Sequence, residues 1–254
     1  MRRNGSAALA ILLFLAPESA GSAWSACAPK VFDEVSYIVC AFDPTHDDIR
    51  LFWKGADDRP YGSLAALADA LKARGERLAF AMNAGMFTEE QSPVGLYVEN
   101  RAQLHSADTR GGESNFHMKP NGVFWVGEGT AGVTETSRYL ADPPPARYAT
   151  QSGPMLVVDG QIHPKIRPNG ASLKIRNGVG ACGKSGIVFA IAEEPVTFDS
   201  FARLFRDGIG CPNALFLDGS VSSLYAPELQ RDDEIERIGP IVGVVLPGAV
   251  GTQE

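Results

Sequence analysis

The sequence lacks the basic runs typical of nucleic-acid-binding proteins and, beyond its N-terminus, the long apolar runs typical of membrane-spanning helices. It has no basic run, and 23 Lys and Arg against 30 Asp and Glu give a formal net charge of −7. Protein surfaces that bind nucleic acids or anionic membranes are basic, so we expect no nucleic-acid partner for this acidic chain. Beyond the N-terminus no apolar run is long enough for a membrane span, and there is no repeat of fixed period. The 44% of hydrophobic residues is typical of a globular protein.

The N-terminus has the pattern of a signal peptide. Arg2 and Arg3 precede a ten-residue apolar stretch over 7–16, and small residues follow it. Ten apolar residues are about half of what a bilayer-spanning helix needs. The pattern predicts a signal peptide over 1–23, with cleavage after Ala23.

A signal peptide places the mature chain outside the cytoplasm. We expect one domain over 24–254, exported to the periplasm or secreted. An alternative is a lipid anchor at Cys27, because the two residues before it match part of a lipoprotein signal. Trp24, however, stands where such signals usually have Leu.

Cysteine is scarce, and its spacing does not suit a metal site. The cysteines Cys27, Cys40, Cys182 and Cys211 include no CxxC pair, and the four histidines are scattered, so no zinc site is expected. Export favours disulfides. Three pairings exist, of which we favour Cys27–Cys40 and Cys182–Cys211, the sequence neighbours; buried free thiols are the alternative. No cofactor is expected. A divalent cation between an acidic loop and a phosphate is the alternative, but the sequence has no legible ligand set for it.

Strand patterns outnumber helical ones along the chain. Apolar residues recur at helical spacing over 63–74 and 197–207, and a glycine follows each segment. Short apolar or alternating runs predict strands at 35–42, 49–53, 77–82, 95–98, 122–126, 154–158, 172–176, 187–192, 214–217 and 241–246. The sequence therefore predicts an α+β fold with a mixed, strand-rich sheet and two main helices packed on it.

One motif match does not predict a nucleotide site. Residues 178–185 fit the phosphate-loop pattern GxxxxGK[ST]. A phosphate loop needs a helix after it, because the helix N-terminus helps to hold the phosphates. Here a β-type run over 187–192 follows, and Cys182 lies inside the motif as an expected disulfide partner. The pattern favours a Gly-rich hairpin turn between two strands.

Polar, glycine-punctuated segments lie at the ends of predicted strands. They are 82–87 with 93–95, 115–122, 151–155, and 174–178 with 217–223. Glycine lets a ligand approach the backbone, and amide and hydroxyl groups suit a sugar. Arg176 and Lys119 suit a phosphate. Asp218, which follows an apolar run, is the candidate catalytic carboxylate. Turn formation at Asp218 and a surface ion pair at Arg176 are the structural alternatives.

Together these segments resemble the phosphodiester glycosidase family. The matching pieces occur in the family's order at 83–87, 151–156, 176–180 and 217–223. The similarity is closest to an exported bacterial branch, which residues 82–86 and 92–97 also resemble. The chain departs from the better-studied branch at Ser220 and Val221, where that branch has further glycines. This departure concerns the identity of the substrate more than the reaction.

The resemblance implies hydrolysis of a sugar-1-phosphodiester at its C1–O bond, in cell-envelope or extracellular polysaccharide. Phosphate is a better leaving group than an alkoxide, so cationic and amide donors replace part of the acid catalysis. We expect catalytic roles for Asp218, which serves the sugar carbon or activates water, for Arg176 and for Asn83. Substrate contacts are expected from Lys119, Gln151, Ser152, Asn177, Gly219, Ser222, Ser223 and Gly85.

Two other functions stay open from the sequence. A non-catalytic binding module for phosphorylated polysaccharide would use the same cations without needing Asp218. A serine hydrolase would use Ser222 or Ser223 with a histidine, but there is no GxSxG motif, and His117 is the only histidine near the other candidates. A second catalytic carboxylate is not identified; by loop position alone the candidates are Glu89, Asp108 and Glu113.

Overall fold

Most of the chain forms short β-strands. The computed structural model describes residues 26–168, 170–183, 186–233 and 237–248; the predicted signal peptide, 1–23, lies outside them. The strands are β1 (Cys27–Phe32), β2 (Val35–Phe42), β3 (Asp48–Phe52), β4 (Glu76–Asn83), β5 (Tyr97–Glu99), β6 (Ala102–His105), β7 (Gly122–Val126), β8 (Ala131–Glu135), β9 (Tyr148–Ser152), β10 (Met155–Val158), β11 (Gln161–Ile162), β12 (Asn177–Cys182), β13 (Gly186–Ala192), β14 (Asn213–Asp218), β15 (Leu224–Ala226), β16 (Arg231–Asp232) and β17 (Ile241–Pro247). The helices are α1 (Leu64–Ala73), α2 (Thr136–Ala141) and α3 (Phe198–Arg203), with a π-helical segment over Leu204–Ile209 and a 3-10 turn over Pro227–Leu229.

The strands form three sheets. Sheet A has the order β1-β2-β13-β12-β14-β10-β11, sheet B the order β16-β15-β4-β17-β3, and sheet C the order β6-β5-β9-β7-β8. Every strand pair in the described residues is antiparallel, so the expected single mixed sheet is wrong. Parallel pairs need long crossover connections, usually helical, and this strand-rich chain has few helices to supply them. The fold is mainly β, with α+β character from the helices.

The three sheets share one apolar core. Phe80 of β4, Phe124 of β7 and Phe189 of β13 come from three different sheets, and all are buried. The ring centroid of Phe189 lies 5.1 Å from that of Phe80 and 5.6 Å from that of Phe124. Aromatic burial of this kind supplies a large part of a core's stability. The contact fixes the sheets relative to one another and so brings their strand ends together.

Both predicted helices are present and cover the outer faces of two sheets. Ser63 caps α1 by accepting the Ala66 N–H, and the buried Leu67 and Leu71 pack against sheet B. Thr197 caps α3 in the same way, and Phe201 packs against sheet A. α3 is shorter than predicted because its α-helical bonds give way to the π-helical segment.

Some predicted and observed elements differ. The predicted strand over 172–176 is wrong: apart from one bridge between Lys174 and Val196, this segment has no strand pairing. Its backbone carbonyl at Ser172 instead accepts a hydrogen bond from the Arg176 side chain. Strand β9 gave no alternating pattern because all five of its residues are buried.

The two favoured disulfides are confirmed. Cys27 and Cys40 face each other across β1 and β2, and the second bond joins Cys182 of β12 to Cys211. The described residues contain no free cysteine.

The strand pair that surrounds the phosphate-loop match confirms the hairpin prediction. Cys182 pairs with Gly186 where β12 meets β13, and a strand rather than a helix follows; Lys184 and Ser185 lie outside the described residues. In the part of the chain that is described, no helix is long and apolar enough to cross a bilayer.

Candidate active site

The ends of strands from sheets A and B meet at one place. Asn83 ends β4 in sheet B, while Asn177 begins β12 and Asp218 ends β14 in sheet A, where these two residues are register partners. Asn177 Nδ2 donates to Asn83 Oδ1 at 3.0 Å and to the Asn83 carbonyl at 2.9 Å. A buried amide–amide contact therefore joins two residues that lie 94 positions apart in sequence.

The Asp218 carboxyl is oriented by backbone N–H groups at one of its two oxygens. Its Oδ1 accepts the N–H groups of Gly219 at 2.5 Å, Ser220 at 2.6 Å and Val221 at 3.3 Å. Within the described residues, the Asn83 side chain is the other group that acts on this carboxyl. Burial raises the pKa of Asp218, and the three N–H bonds oppose this only in part. The carboxyl is thus oriented by its own loop and held in a partly desolvated position.

Asn83 places a buried amide donor beside this carboxyl. Its Oδ1 accepts from Asn177 Nδ2 and from the Ser223 N–H at 3.0 Å. Its Nδ2 is buried and forms no hydrogen bond of ordinary geometry with the described residues. The Asn83 side chain nevertheless acts on Asp218, whose ionised form it favours. Asn83 is 0% exposed, so this donor supports the Asp218 carboxyl rather than facing an open ligand site.

Arg176 is a buried cation that forms no ion pair with a carboxylate among the described residues. The residue is 1% exposed; its Nε donates to the Val196 carbonyl at 3.0 Å and its Nη2 to the Ser172 carbonyl at 2.8 Å. The guanidinium lies over the Phe198 ring, 3.7 Å from the centroid. Burial lowers the pKa of Arg176 to about 10, so it is charged at neutral pH. The Nη1 nitrogen has no partner in the described residues and lies close to Gly219.

Arg176 and Asp218 line the same cavity of about 500 Å³. That volume suits a small-molecule ligand. The polar lining residues are Ser114, Asn115, His117, Ser172, Lys174, Arg176, Asp218 and Ser220. The apolar lining residues are Met86, Phe87, Val94, Phe116, Phe216 and Val221, and Gly219 completes the wall. Asp218 is the one carboxylate among these lining residues.

Several predicted contact residues support the floor of the cavity rather than line it. Ser222 Oγ donates to the carbonyls of Ile175 at 3.0 Å and Asp218 at 3.2 Å. Ser223 Oγ donates to the Val221 carbonyl, and Ser152 Oγ donates to the Leu217 carbonyl. These hydroxyls fix the strand ends that carry Asp218. No described histidine contacts Ser222 or Ser223, so the geometry does not favour the serine hydrolase that used them.

Gly85 allows the chain to pass close to β9. Its φ is +107°, which L side chains rarely adopt, and a Cβ there would lie 2.9 Å from Thr150 Oγ1. The residue is not part of the cavity wall. Its predicted substrate contact stays a prediction.

Gln151 and Lys119 do not line the cavity. Both amide atoms of Gln151 are engaged with the protein: Oε1 accepts the N–H groups of Leu96 and Asp108, and Nε2 donates to the Asp108 carbonyl. Lys119 is exposed, and its Nζ donates to the Thr109 carbonyl. The lysine of the cavity wall is Lys174, which begins the predicted polar segment 174–178 but was given no role from the sequence. The roles predicted for Gln151 and Lys119 stay predictions.

Acidic and metal-binding side chains do not gather in this region. Across the described ranges, no three or more His, Cys, Asp or Glu side chains come together in a way that could hold a metal ion.

The fold and this site agree with a known family. The chain belongs to the phosphodiester glycosidase family, whose sequence profile matches residues 76–244. That range contains Asn83, Arg176 and Asp218, and the match confirms the resemblance that the motifs indicated.

The chain is similar to one bacterial protein in sequence and to two solved structures in fold. The chain is 34% identical over 183 residues to the protein named Uncharacterized protein YigE of Escherichia coli K12, covering 72% of this chain and 71% of that one. The zebrafish N-acetylglucosamine-1-phosphodiester alpha-N-acetylglucosaminidase catalytic domain, auto-inhibited by its pro-peptide, superposes with a TM-score of 0.60 at 14% identity over 86% of this chain and 81% of that one. A hypothetical protein from Synechocystis gives 0.56 at 13% identity, over 87% and 61%. At such identities the structural likeness shows the fold alone.

Proposed function

We propose that the protein is a glycosidase that hydrolyses sugar-1-phosphodiesters at the C1–O bond and releases a phosphomonoester. Membership of the phosphodiester glycosidase family supports this class of activity in general. The observation that carries the proposal is the buried Arg176 guanidinium, which shares one cavity with Asp218 and has no carboxylate partner among the described residues.

Arg176 suits the phosphate of such a substrate. A buried cation normally has a carboxylate to neutralise it, and a phosphodiester anion would supply that charge here. The negative charge on the phosphate grows as the C1–O bond breaks, so the guanidinium binds the leaving group more strongly in the transition state. Lys174, on the same wall, adds a second positive charge. Leaving-group stabilisation by cations explains how the site works with one carboxylate in its lining.

Asp218 suits the sugar carbon. Positive charge develops at C1 as the bond to phosphate lengthens, and a carboxylate placed beside C1 stabilises that charge. The backbone holds Oδ1 and leaves Oδ2 for this contact. The buried Asn83 Nδ2, which lies beside Asp218 and outside the cavity lining, would hold the Asp218 carboxyl. The apolar wall suits the C–H faces of a sugar ring.

The compartment is part of the proposal. Both disulfides are typical of an oxidising environment, which supports export to the periplasm or the medium. Phosphorylated polysaccharide of the cell envelope or extracellular matrix would be the substrate there.

Turnover by the purified mature protein tests the proposal. N-acetylglucosamine-1-phospho-methyl-mannoside and UDP-N-acetylglucosamine are supplied with the disulfides intact, and sugar release is followed by NMR. Asp218→Asn is expected to lower turnover by at least 100-fold while it keeps binding. Asp159→Asn is the matched control, because this exposed carboxylate forms only a surface ion pair with Arg138.

A binding module is the second candidate, and the presence of one carboxylate in the cavity lining favours it. A binding module predicts that the wild type binds either ligand and releases no sugar, and that Asp218→Asn leaves the affinity nearly unchanged. Release of sugar by the wild type and Asp159→Asn, but not by Asp218→Asn, would contradict this alternative. The absence of both release and binding for the two ligands would overturn both candidates.

A further inference from the structure

A Ser–His–Asp hydrogen-bonded chain lies on the cavity wall contributed by the loop between β6 and β7. Ser114 Oγ is 2.8 Å from His117 Nδ1, and His117 Nε2 is 3.2 Å from Asp108 Oδ2. Ser114 and His117 both line the cavity that holds Asp218. The side chain of His117 is 23% exposed, whereas that of Asp108 is 8% exposed. The chain thus runs from a covered carboxylate to a hydroxyl at the cavity.

The carboxylate end of this chain is firmly held as an anion. Arg110 donates from its Nε and Nη2 to the Asp108 carboxylate, and these bonds hold the pKa of Asp108 well below its usual range. Gln151 holds the backbone N–H and carbonyl of the same residue. An ionised carboxylate only accepts hydrogen bonds, so the neutral imidazole must carry its proton on Nε2. Nδ1 of His117 is then a lone pair that accepts the Ser114 hydroxyl.

This arrangement has the components of a general base. The imidazole of His117 lines the cavity, and the carboxylate on its Nε2 would stabilise the imidazolium that forms after proton uptake. Hydrolysis at C1 requires such a group, because the attacking water must lose a proton. Asp218 faces the same cavity, but its Oδ1 is held by three backbone N–H groups, and the proposed function uses its Oδ2 at C1.

We propose that His117 is a catalytic residue that takes the proton of the attacking water on Nδ1, and that Asp108 is its positioning residue. This inference rests on the proposed glycosidase function. The water oxygen bonds to C1, or to C1 of a glycosyl–Asp218 ester formed first, as the bond from C1 to its leaving oxygen breaks. The bonding pair stays on that oxygen, the water proton moves to Nδ1, and it returns from there to product or solvent. Ser114 occupies the water's position on Nδ1 in the free protein.

The first part of the test is kinetic. His117→Ala is expected to lower kcat by at least 100-fold, in the range that general bases contribute, and added imidazole is expected to restore part of the rate through the open cavity. Asp108→Asn is expected to lose about 10- to 100-fold. Ser114→Ala is expected to lower the rate less than His117→Ala does, because the Ser114 hydroxyl takes no part in bond making. His46→Ala, at an exposed histidine in another loop, is the control.

The second part does not depend on turnover. ¹⁵N-histidine NMR, assigned with His117→Ala, is expected to show the neutral His117 ring protonated on Nε2, and Asp108→Asn is expected to remove that preference. A neutral ring protonated on Nδ1 would overturn the proposal. So would a His117→Ala rate equal to the wild type, or loss of that rate without rescue by imidazole.

The remaining outcomes separate this inference from the proposed function. A serine-reactive probe that labels Ser114, together with an inactive Ser114→Ala, would assign the chain to a nucleophilic serine and overturn the role as base for water. If the wild type turns over neither substrate, the proposed function fails and the role of His117 falls with it. Turnover that is unaffected by His117→Ala overturns this inference alone.

Discussion

Substitution of Arg176 by Met separates a binding role for this cation from a structural one. The change removes the guanidinium but keeps an unbranched apolar side chain against Phe198. A structural arginine with a buried carboxylate partner would cost about 3–5 kcal/mol to remove, because the partner would be left unpaired. Arg176 has no such partner in the described residues, so its removal leaves no orphaned carboxylate there.

The expected free-energy change can be worked from its contacts. Burial lowers the pKa of Arg176 from 12.5 to about 10, which at about 1.4 kcal/mol for each tenfold change means about 3 kcal/mol is regained when the charge is removed. The hydrogen bonds to the carbonyls of Ser172 and Val196 are lost, at about 1.5 kcal/mol each. The attraction of the cation to Phe198 is replaced by a sulfur–aromatic contact of similar size. The terms nearly cancel, so we expect a change within about 1.5 kcal/mol.

Two assays distinguish the structural role of Arg176 from its role in substrate binding. Urea unfolding with the disulfides intact gives the free energy of unfolding, and NMR of sugar release gives kcat/KM. We expect Arg176→Met to unfold near the wild-type midpoint but to lose at least 100-fold in kcat/KM. Lys174→Met is the matched control: this exposed lysine on the same cavity wall is expected to lose less than about tenfold. A loss of more than about 3 kcal/mol with activity retained would refute the reasoning and make Arg176 structural.

Three further predictions concern charge, cross-links and space. Burial raises the pKa of Asp218 in the folded protein, so its ionisation lowers the free energy of unfolding as pH rises through that value. Asp218→Asn avoids this loss, so urea unfolding should show the variant more stable relative to wild type at pH 7 than at pH 4. Replacing both Cys182 and Cys211, 29 residues apart, by Ser should cost about 3–4 kcal/mol in the same assay. Gly95→Ala should cost about 1–3 kcal/mol and lower kcat, because a Cβ would lie 2.3 Å from Gln151 Oε1.

A specific result would contradict each of these three predictions. Equal gains at pH 4 and pH 7 would mean that the Asp218 carboxyl is not destabilised by its ionisation. A midpoint unchanged by loss of the Cys182–Cys211 bond would show that this cross-link does not constrain the unfolded chain. Gly111→Ala is the control for Gly95→Ala, because nothing lies within 4 Å of its added Cβ; equal effects of the two would remove the steric argument.

The predictions from local patterns agreed best with the fold. The helix over 63–74 followed from apolar residues three and four positions apart and a serine cap, all within one segment. The strand over 187–192 followed from one apolar run. The mixed sheet and the strand over 172–176 were wrong, because pairing direction and partner depend on segments far away in sequence. No local pattern tells an unpaired segment from a strand when its residues have strand-like composition.

For the candidate site, too, the sequence predicted some features and only the structure showed the others. The family motifs indicated Asn83, Arg176 and Asp218, and these residues lie in one region although Arg176 and Asp218 are 93 and 135 positions from Asn83 in sequence. The positions of Gln151 and Lys119 away from the cavity could not be predicted. The direction of a side chain follows from the strand that carries it and from the carbonyls within its reach.

The sequence by itself determined the chemistry that is available: the glycine-punctuated polar segments, the four cysteines and the order of the family motifs. Only the tertiary structure decided which groups face the cavity. Arg176 is directed there by its stacking on Phe198, and His117 by its place in a loop held through Asp108. Contacts between distant segments form only when three sheets pack on one core, and local periodicity carries no information about them.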